Sequence, residues 1–190
     1  MNDISHLYQL PDNLPHPVDD GACDHLPGQL LPSLALPSTS GGVVNPARID
    51  SEWVVMYCYP LTGVPGVALP NGWDLVPGAR GCTPQTCTFR DLYEEFSRLG
   101  VRVFGVSTQT TEYQRELIKR LNVPFEILSD HELQFARVLN LPTFTAANQV
   151  LLKRLTLVVR SGKIEKVFYP IFPPTKNAGD VLNWIREHSG

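Results

Sequence analysis

The sequence predicts an α/β domain with a mixed β-sheet. Apolar runs alternate with amphipathic segments through the middle of the chain, as expected where strands alternate with helices. Near the C-terminus, two apolar segments are separated only by Ser161 and Gly162, which predicts a hairpin and an antiparallel edge of the sheet. Of the 190 residues, 43% are apolar and 18% are charged, so the chain can bury a full core without disulfides.

Proline is concentrated at the N-terminal end, where seven of the 17 prolines precede residue 50. We therefore expect residues 1–30 to form a Pro-rich arm and residues 31–190 to form the folded domain. A hairpin is predicted over 34–44, with its turn at Ser40–Gly42. The arm is expected to wrap the domain, because four leucines need burial: Leu30, Leu31, Leu34 and Leu36.

The spacing of apolar residues predicts the remaining strands and helices. Trp53–Tyr59 is a continuous apolar run, typical of a strand covered on both faces, and Pro60 ends it. Leu61–Gly81 is rich in glycine and proline and predicts a long loop, of a kind that often has a function. Helices are then predicted over 89–99, 111–121, 133–139 and 178–188, and strands over 101–106, 124–128, 151–160 and 163–169. A mixed sheet with flanking helices fits a thioredoxin-like fold.

The net charge and the N-terminal segment exclude some classes of function. The net charge of −3 gives no basic surface for nucleic acid or an anionic membrane. Met1–Leu10 lacks the features of a secretory signal, so we expect a cytoplasmic protein with no membrane partner. Thiols are mostly reduced there, and a disulfide among the four cysteines should be catalytic or transient. Cys23 and His25 lie in the arm without a second ligand pair, so neither a metal nor a cofactor is expected.

The chemistry concentrates at Cys82. A glycine-rich loop leads to this cysteine at the predicted start of the first helix, and Pro84 suits the first helical turn. A sulfur at that place faces unpaired backbone N–H groups and the positive end of the helix dipole. Arg80 is two residues away. These features favour the thiolate, which is the reactive form.

Cys87 follows five residues later. In an intact helix the two Cα atoms differ in height by about 7.5 Å, whereas a disulfide joins Cα atoms about 4.4–6.8 Å apart. A disulfide therefore requires the first helical turns to unwind, and three weak helix formers favour unwinding: Thr83, Thr86 and Thr88. The spacing alone also fits two inert buried cysteines. It is not the C-x-x-C spacing of disulfide reductases, which disfavours that activity.

The segment from Gly81 to Phe96, GCTPQTCTFRDLYEEF, resembles the active-site helix of peroxiredoxins. It is most similar to the peroxiredoxin Q or bacterioferritin comigratory protein type, an atypical two-cysteine class. Tyr59-Pro60, Pro124–Asp130 and Arg154–Val159 resemble further segments of that family. The resemblance extends over about residues 31–188 and implies the thioredoxin-like fold.

By position, the resemblance implies that Cys82 is the peroxidatic cysteine, Cys87 the resolving cysteine and Arg154 the active-site arginine. It implies three substrate-binding positions: Pro60, Thr83 and Gln85. The implied activity is an antioxidant, thiol-dependent peroxidase that reduces hydrogen peroxide and organic hydroperoxides. Cys82 becomes a sulfenic acid, Cys87 closes an intramolecular disulfide, and thioredoxin or a glutaredoxin-type reductant reopens it. We expect a monomer or a weak homodimer.

The chain departs from the family pattern in the active-site loop. Ala79 stands where the family has a Thr or Ser hydroxyl three residues before the peroxidatic cysteine. Pro60 lies twenty-two residues before Cys82 rather than seven, so the loop has an insertion that includes Trp73, a candidate pocket wall. Thr62, Thr83 or a backbone group could replace the hydroxyl. A second function therefore stays open: a peroxiredoxin-like redox sensor or binding module with weak peroxidase activity.

Overall fold

The computed structural model of the protein describes residues 10–189, and a five-stranded mixed β-sheet organises them. The strand order is β5-β4-β3-β8-β9. The strands are β3 (Trp53–Cys58), β4 (Val101–Ser107), β5 (Ile127–Ser129), β8 (Leu155–Arg160) and β9 (Lys163–Phe168). β4 runs parallel to β3 and β5, whereas β8 is antiparallel to β3 and β9. The predicted mixed sheet and its antiparallel edge are confirmed.

Five α-helices, three short 3-10 helices and two small hairpins surround the sheet in the described chain. The helices are α1 (Cys82–Asp91), α2 (Tyr93–Arg98), α3 (Thr111–Leu121), α4 (Gln134–Leu139) and α5 (Asn177–His188). β1 (Leu36–Pro37) pairs with β2 (Val43–Val44), as predicted, and β6 (Thr143–Ala146) pairs with β7 (Gln149–Leu152). Between residues 10 and 189, the helices are all too short or too polar to cross a membrane.

The central strand β3 divides the core into two layers, because side chains alternate across a strand. Trp53, Val55 and Tyr57 pack with α1, α3 and α5 on one face. Val54, Met56 and Cys58 pack with α4 and the N-terminal segment on the other. All six residues of β3 are buried, which explains the continuous apolar run. The two faces also separate the cysteines, since Cys82 belongs to the first layer.

The N-terminal segment is packed onto the domain. Leu26 and Leu31 are buried in the second layer, and Asp20 forms an ion pair with Lys153 at 2.7 Å. The expected burial of Leu30 is wrong, because its side chain is 70% exposed. Leu30 forms an isolated β-bridge with Lys163 of the edge strand β9. Neighbouring side chains on an extended segment point in opposite directions, so Leu31 faces the core and Leu30 faces solvent. The part of the predicted arm before residue 10 lies outside the described residues, and the domain boundary at residue 30 stays a prediction.

Two predicted elements are broken in the structure. The helix expected over 89–99 ends as α1 and restarts as α2, with Leu92 between them at φ −96°. Phe89 and Phe96 still stack across the break, with ring centroids 5.9 Å apart. The helical spacing of apolar residues therefore continues through Leu92 and does not indicate the break. The strand expected over 151–160 is split into β7 and β8, because the two halves pair with different partners. The β6 partner was not predicted, and the strand expected over 124–128 lies at 127–129.

The long loop between β3 and α1 has a small core of its own. Trp73 is only 4% exposed and packs with Ala79 and Leu151, and its ring lies 6.1 Å from that of Phe144. Trp73 is therefore an internal anchor of the loop. The loop rests on the β6–β7 hairpin, which explains how such a glycine-rich segment is ordered.

We expect Trp73→Ala to lower the free energy of unfolding by about 3 kcal/mol, as is typical when a buried aromatic side chain is removed. Urea denaturation followed by circular dichroism measures this change. Leu75→Ala is the matched control, because Leu75 lies in the same short turn but is 79% exposed. Equal stability losses in the two variants would contradict the presence of a core under the loop.

Candidate active site

Helix α1 begins at Cys82, as predicted, because Gly81 turns the chain sharply before it. Gly81 has φ 101°, in the left-handed region that favours glycine. A Cβ atom at this position would lie 2.5 Å from Pro174 Cγ and 2.8 Å from Leu10 Cδ2. The close approach of these two segments therefore requires glycine. The turn places the Cys82 sulfur at the helix N-terminus, where backbone N–H groups have no partner within the helix.

The Cys82 side chain is buried, with 2% of its surface exposed. Arg154 Nη2 donates a hydrogen bond to its sulfur at 3.2 Å. The thiol in turn faces the backbone carbonyl of Ala79 at 3.5 Å. A guanidinium at this distance stabilises a thiolate more than a neutral thiol, because the attraction acts on the charged form.

Arg154 is held in place by the inserted loop. Its Nε donates to the Gly78 carbonyl at 3.2 Å, and Nη2 also faces the carbonyls of Ala79 and Arg80 at 3.2 and 3.0 Å. Its Nη1 donates to Gln85 Oε1 in a short hydrogen bond. A buried cation requires such a set of acceptors. Arg154 lies between β7 and β8, so the split of the predicted strand occurs where this side chain enters the site.

Gln85 connects the arginine to the C-terminal helix. Its Nε2 donates to Asn177 Oδ1 at 2.9 Å, and Asn177 Oδ1 also accepts from the Thr156 hydroxyl at 2.8 Å. The three side chains are buried. Asn177 was missing from the predicted site, because nothing in the local sequence links it to Gln85, 92 residues earlier in the chain.

The other predicted positions have different environments. Thr83 is buried in the first turn of α1, and Pro60 is buried just after β3. The Thr62 hydroxyl donates to Gln109 Oε1 at 3.1 Å, which ties it to the segment before α3. The Ala79 carbonyl accepts from both Cys82 and Arg154. A carbonyl only accepts hydrogen bonds, so it can hold the arginine but cannot donate to a peroxide.

Cys87 lies further along α1 and is partly buried. Burial raises the pKa of its thiol, so the sulfur is protonated at neutral pH while the helix is intact. The turns between the two cysteines are packed against β3. The Tyr57 hydroxyl donates to Thr86 Oγ1 at 3.3 Å, and the Tyr57 ring stacks on Phe89 at 4.3 Å. All four cysteines are free thiols.

Cys23 and Cys58 lie in the opposite layer of the core from Cys82. Burial raises the pKa of Cys23 to about 12 and raises that of Cys58 further. The sheet thus separates these two sulfurs from Cys82. Of the other three cysteines, Cys87 is the one on the same helix and in the same layer as Cys82.

A cavity of about 350 Å³ borders Arg154. Its walls come from the N-terminal segment, the inserted loop, strand β6 and the segment after β9, and most of them are apolar: Pro17, Val18, Val76, Phe144 and Ile171. Polar groups at its rim are paired, since Asp20 accepts from both Lys153 and Tyr169 at 2.7 Å. The hydrogen bond from Lys153 lowers the pKa of Asp20 to about 2.

Comparison with known proteins identifies relatives that match most of the chain. Peroxiredoxin Bcp of Escherichia coli (strain K12) is 28% identical over 166 residues, covering 85% of this chain and 96% of that protein. Chloroplastic peroxiredoxin Q of Oryza sativa subsp. japonica is 28% identical over 160 residues, 84% of this chain. The chain spans slightly less than two thirds of that relative, namely 66% of its length.

Solved structures share the fold. Peroxidoxin BcpB from Mycobacterium tuberculosis superposes with a TM-score of 0.69 at 23% identity, covering 86% of this chain and 98% of that one. Peroxiredoxin Q from Xanthomonas campestris superposes with a TM-score of 0.65 at 17% identity, covering 93% of this chain and 99% of that one. These neighbours confirm the predicted thioredoxin-like fold. The model of the family described as Redoxin matches residues 26–182, most of the chain, and the chain therefore belongs to the Redoxin family.

Proposed function

We propose that the protein is a thiol-dependent peroxidase in which Cys82 reduces the peroxide and Cys87 resolves the product. One observation carries the proposal: the Arg154 guanidinium donates to the Cys82 sulfur at 3.2 Å, at the start of helix α1. Arginine and helix N-terminus both favour the thiolate. The peroxiredoxin names of relatives that match over most of this chain support the same activity.

In the first step the Cys82 thiolate attacks one oxygen of the peroxide. An S–O bond forms and the O–O bond breaks, so the sulfur is oxidised to sulfenic acid and the peroxide is reduced. Negative charge develops on the leaving oxygen, which takes a proton and departs as water or an alcohol. Arg154 and the N–H groups of the first turn of α1, including that of Thr83, stabilise this charge. The resemblance to peroxiredoxins also assigns Pro60 and Gln85 to the surroundings of the peroxide.

In the second step the first turns of α1 unwind and Cys87 reaches Cys82. The Cys87 thiolate attacks the sulfenic sulfur, an S–S bond forms, and the hydroxyl leaves as water after protonation. Unwinding brings Cys87 into solvent, which removes the burial that raises its pKa. An external dithiol, thioredoxin or a glutaredoxin-type protein, then reduces the disulfide. We propose that the protein works in the cytoplasm as a monomer or weak homodimer.

Organic hydroperoxides are proposed as substrates beside hydrogen peroxide. The cavity at Arg154 has the size of a small ligand pocket, for which about 300–1,000 Å³ is typical, and its walls are mainly apolar. The alkyl or aryl substituent of an organic hydroperoxide can pack against these apolar walls, whereas hydrogen peroxide has no apolar group to place there.

A redox sensor with weak peroxidase activity is the second candidate. The missing hydroxyl at Ala79 and the burial of Cys82 favour it, because both lower the expected rate of peroxide attack. A sensor would be oxidised by peroxide but re-reduced slowly by thioredoxin. The steady-state rate with thioredoxin therefore distinguishes the two candidates.

We expect hydrogen peroxide to oxidise Cys82 faster than free cysteine, and Arg154→Lys to slow this step roughly a hundredfold. Lysine keeps the charge but loses the planar group that reaches the sulfur and Gln85 together. Stopped-flow tryptophan fluorescence measures the rate, with Cys82→Ser as the unreactive control. A rate no faster than that of free cysteine would exclude the peroxidase.

Cys87→Ser should leave the first oxidation intact but prevent the disulfide, because no second sulfur on α1 remains. The Cys82 sulfenic acid should then persist or overoxidise, which mass spectrometry detects as added oxygen. Cys58→Ser is the control and should form the disulfide normally, since Cys58 faces the opposite layer. If Cys87→Ser still turned over through an intramolecular disulfide, another cysteine would be the resolving residue.

We expect Val18→Trp to lower the rate of oxidation by cumene hydroperoxide by roughly tenfold and to leave the hydrogen peroxide rate unchanged. Val18 lines the cavity but is itself exposed, so the larger side chain narrows the cavity without disturbing the core. Val43→Trp is the control, at an exposed residue of the β1–β2 hairpin. An equal change with both peroxides would show that the cavity does not select the substituent.

A further inference from the structure

We infer that Asn177, the first residue of α5, is a positioning residue that acts on Cys82 through Gln85 and Arg154. It also ties the first turn of α1 to α5, and so sets the balance between oxidation of Cys82 and closure of the disulfide. The inference rests on the proposed peroxidase function.

The donors and acceptors in this network can be arranged in only one way. A guanidinium only donates hydrogen bonds, so Gln85 must present its oxygen to Arg154. The Gln85 NH₂ group then faces Asn177, which must present Oδ1 as the acceptor. The Thr156 hydroxyl supplies the second hydrogen bond to the same oxygen. Arg154 thus fixes which end of the Gln85 amide faces it, and Asn177 Oδ1 is the acceptor that holds the other end in place.

Without that acceptor the Gln85 NH₂ group loses its partner on α5, while the Gln85 oxygen still accepts from Arg154. A buried donor without a partner is costly, so the Gln85 side chain shifts to recover a hydrogen bond, and Arg154 Nη1 shifts with it. Arg154 stays buried on the loop carbonyls of residues 78–80, but the direction of its guanidinium toward the Cys82 sulfur changes. Small displacements of this kind have large effects on rate.

The same hydrogen bond opposes the second chemical step. Gln85 lies in the first turn of α1, which must unwind before Cys87 can reach Cys82. The bond to Asn177 has to break in that transition, so it slows disulfide closure while it holds the site ready for peroxide. Its loss should therefore change the two steps in opposite directions. A residue that only supported the fold would not separate them.

The test compares Asn177→Leu with the unaltered protein. Leucine fills a similar volume but has no acceptor. We expect oxidation of Cys82 to slow by roughly ten- to a hundredfold, and closure of the disulfide to accelerate by about two- to tenfold, as for the loss of one buried hydrogen bond. Stopped-flow fluorescence resolves the two phases, and the first alone depends on peroxide concentration.

Three variants complete the test. Asn177→Asp keeps an oxygen acceptor toward Gln85 and Thr156, and should recover most of the oxidation rate. Asn183→Leu changes an exposed residue of the same helix and should alter neither phase. Should Asn177→Leu fail to fold, Asn177→Ala is measured in its place. Unchanged oxidation, or two phases that slow together, would overturn the inference.

A readout independent of peroxide separates this inference from the proposed function. Alkylation of Cys82 by iodoacetamide as a function of pH reports the thiolate, on which Arg154 acts directly. Asn177→Leu should shift this profile to higher pH. If peroxide fails to oxidise the unaltered protein but the profile shifts, the peroxidase proposal fails and the positioning role stands. If the profile does not move, the positioning role fails.

Discussion

The buried Arg154 guanidinium is the constraint on which the rest of the site depends. A cation that is 4% exposed must find acceptors inside the protein, and the chain supplies them from the loop before α1 and from α1 itself. The inserted loop gives carbonyl groups, α1 gives Gln85, and the remaining direction is occupied by the Cys82 sulfur. The loop, the helix and the split between β7 and β8 are therefore arranged around one charge, and this charge lies against the Cys82 sulfur.

The loop shows how a departure from the family pattern can be accommodated. Ala79 lacks the hydroxyl, yet its carbonyl still binds both Arg154 and Cys82, and its side chain packs with Trp73. The inserted segment thus contributes both a small core and the acceptors that hold the arginine. Ala79 supplies no side-chain donor, so in the proposed peroxide reduction the charge on the leaving oxygen is stabilised by Arg154 and the helix N-terminus.

The sequence predicts the structure correctly where the residues that decide it are close together in the chain. The run Trp53–Tyr59 predicts the central strand because burial on both faces leaves a continuous apolar pattern, and the glycine-rich approach to Cys82 predicts the helix start. The split at Arg154 and the role of Asn177 could not be predicted in this way. Both depend on hydrogen bonds between residues far apart in the chain, and periodicity reports only whether a side chain faces the core.

The helix that carries both cysteines has to satisfy opposed requirements. It must be rigid enough for Arg154 and Cys82 to stay in contact, and the contacts of Thr86 with Tyr57 and of Gln85 with Asn177 supply that rigidity. The proposed disulfide also requires it to unwind, because two sulfurs on an intact helix at this spacing cannot bond. The threonines of the first turns lower intrinsic helix stability, whereas their burial restores it through packing. Stability in this segment therefore comes mainly from tertiary contacts. In the proposed reaction, oxidation of the buried Cys82 sulfur adds an oxygen atom to a close-packed site, and so disturbs the contacts that keep the helix folded.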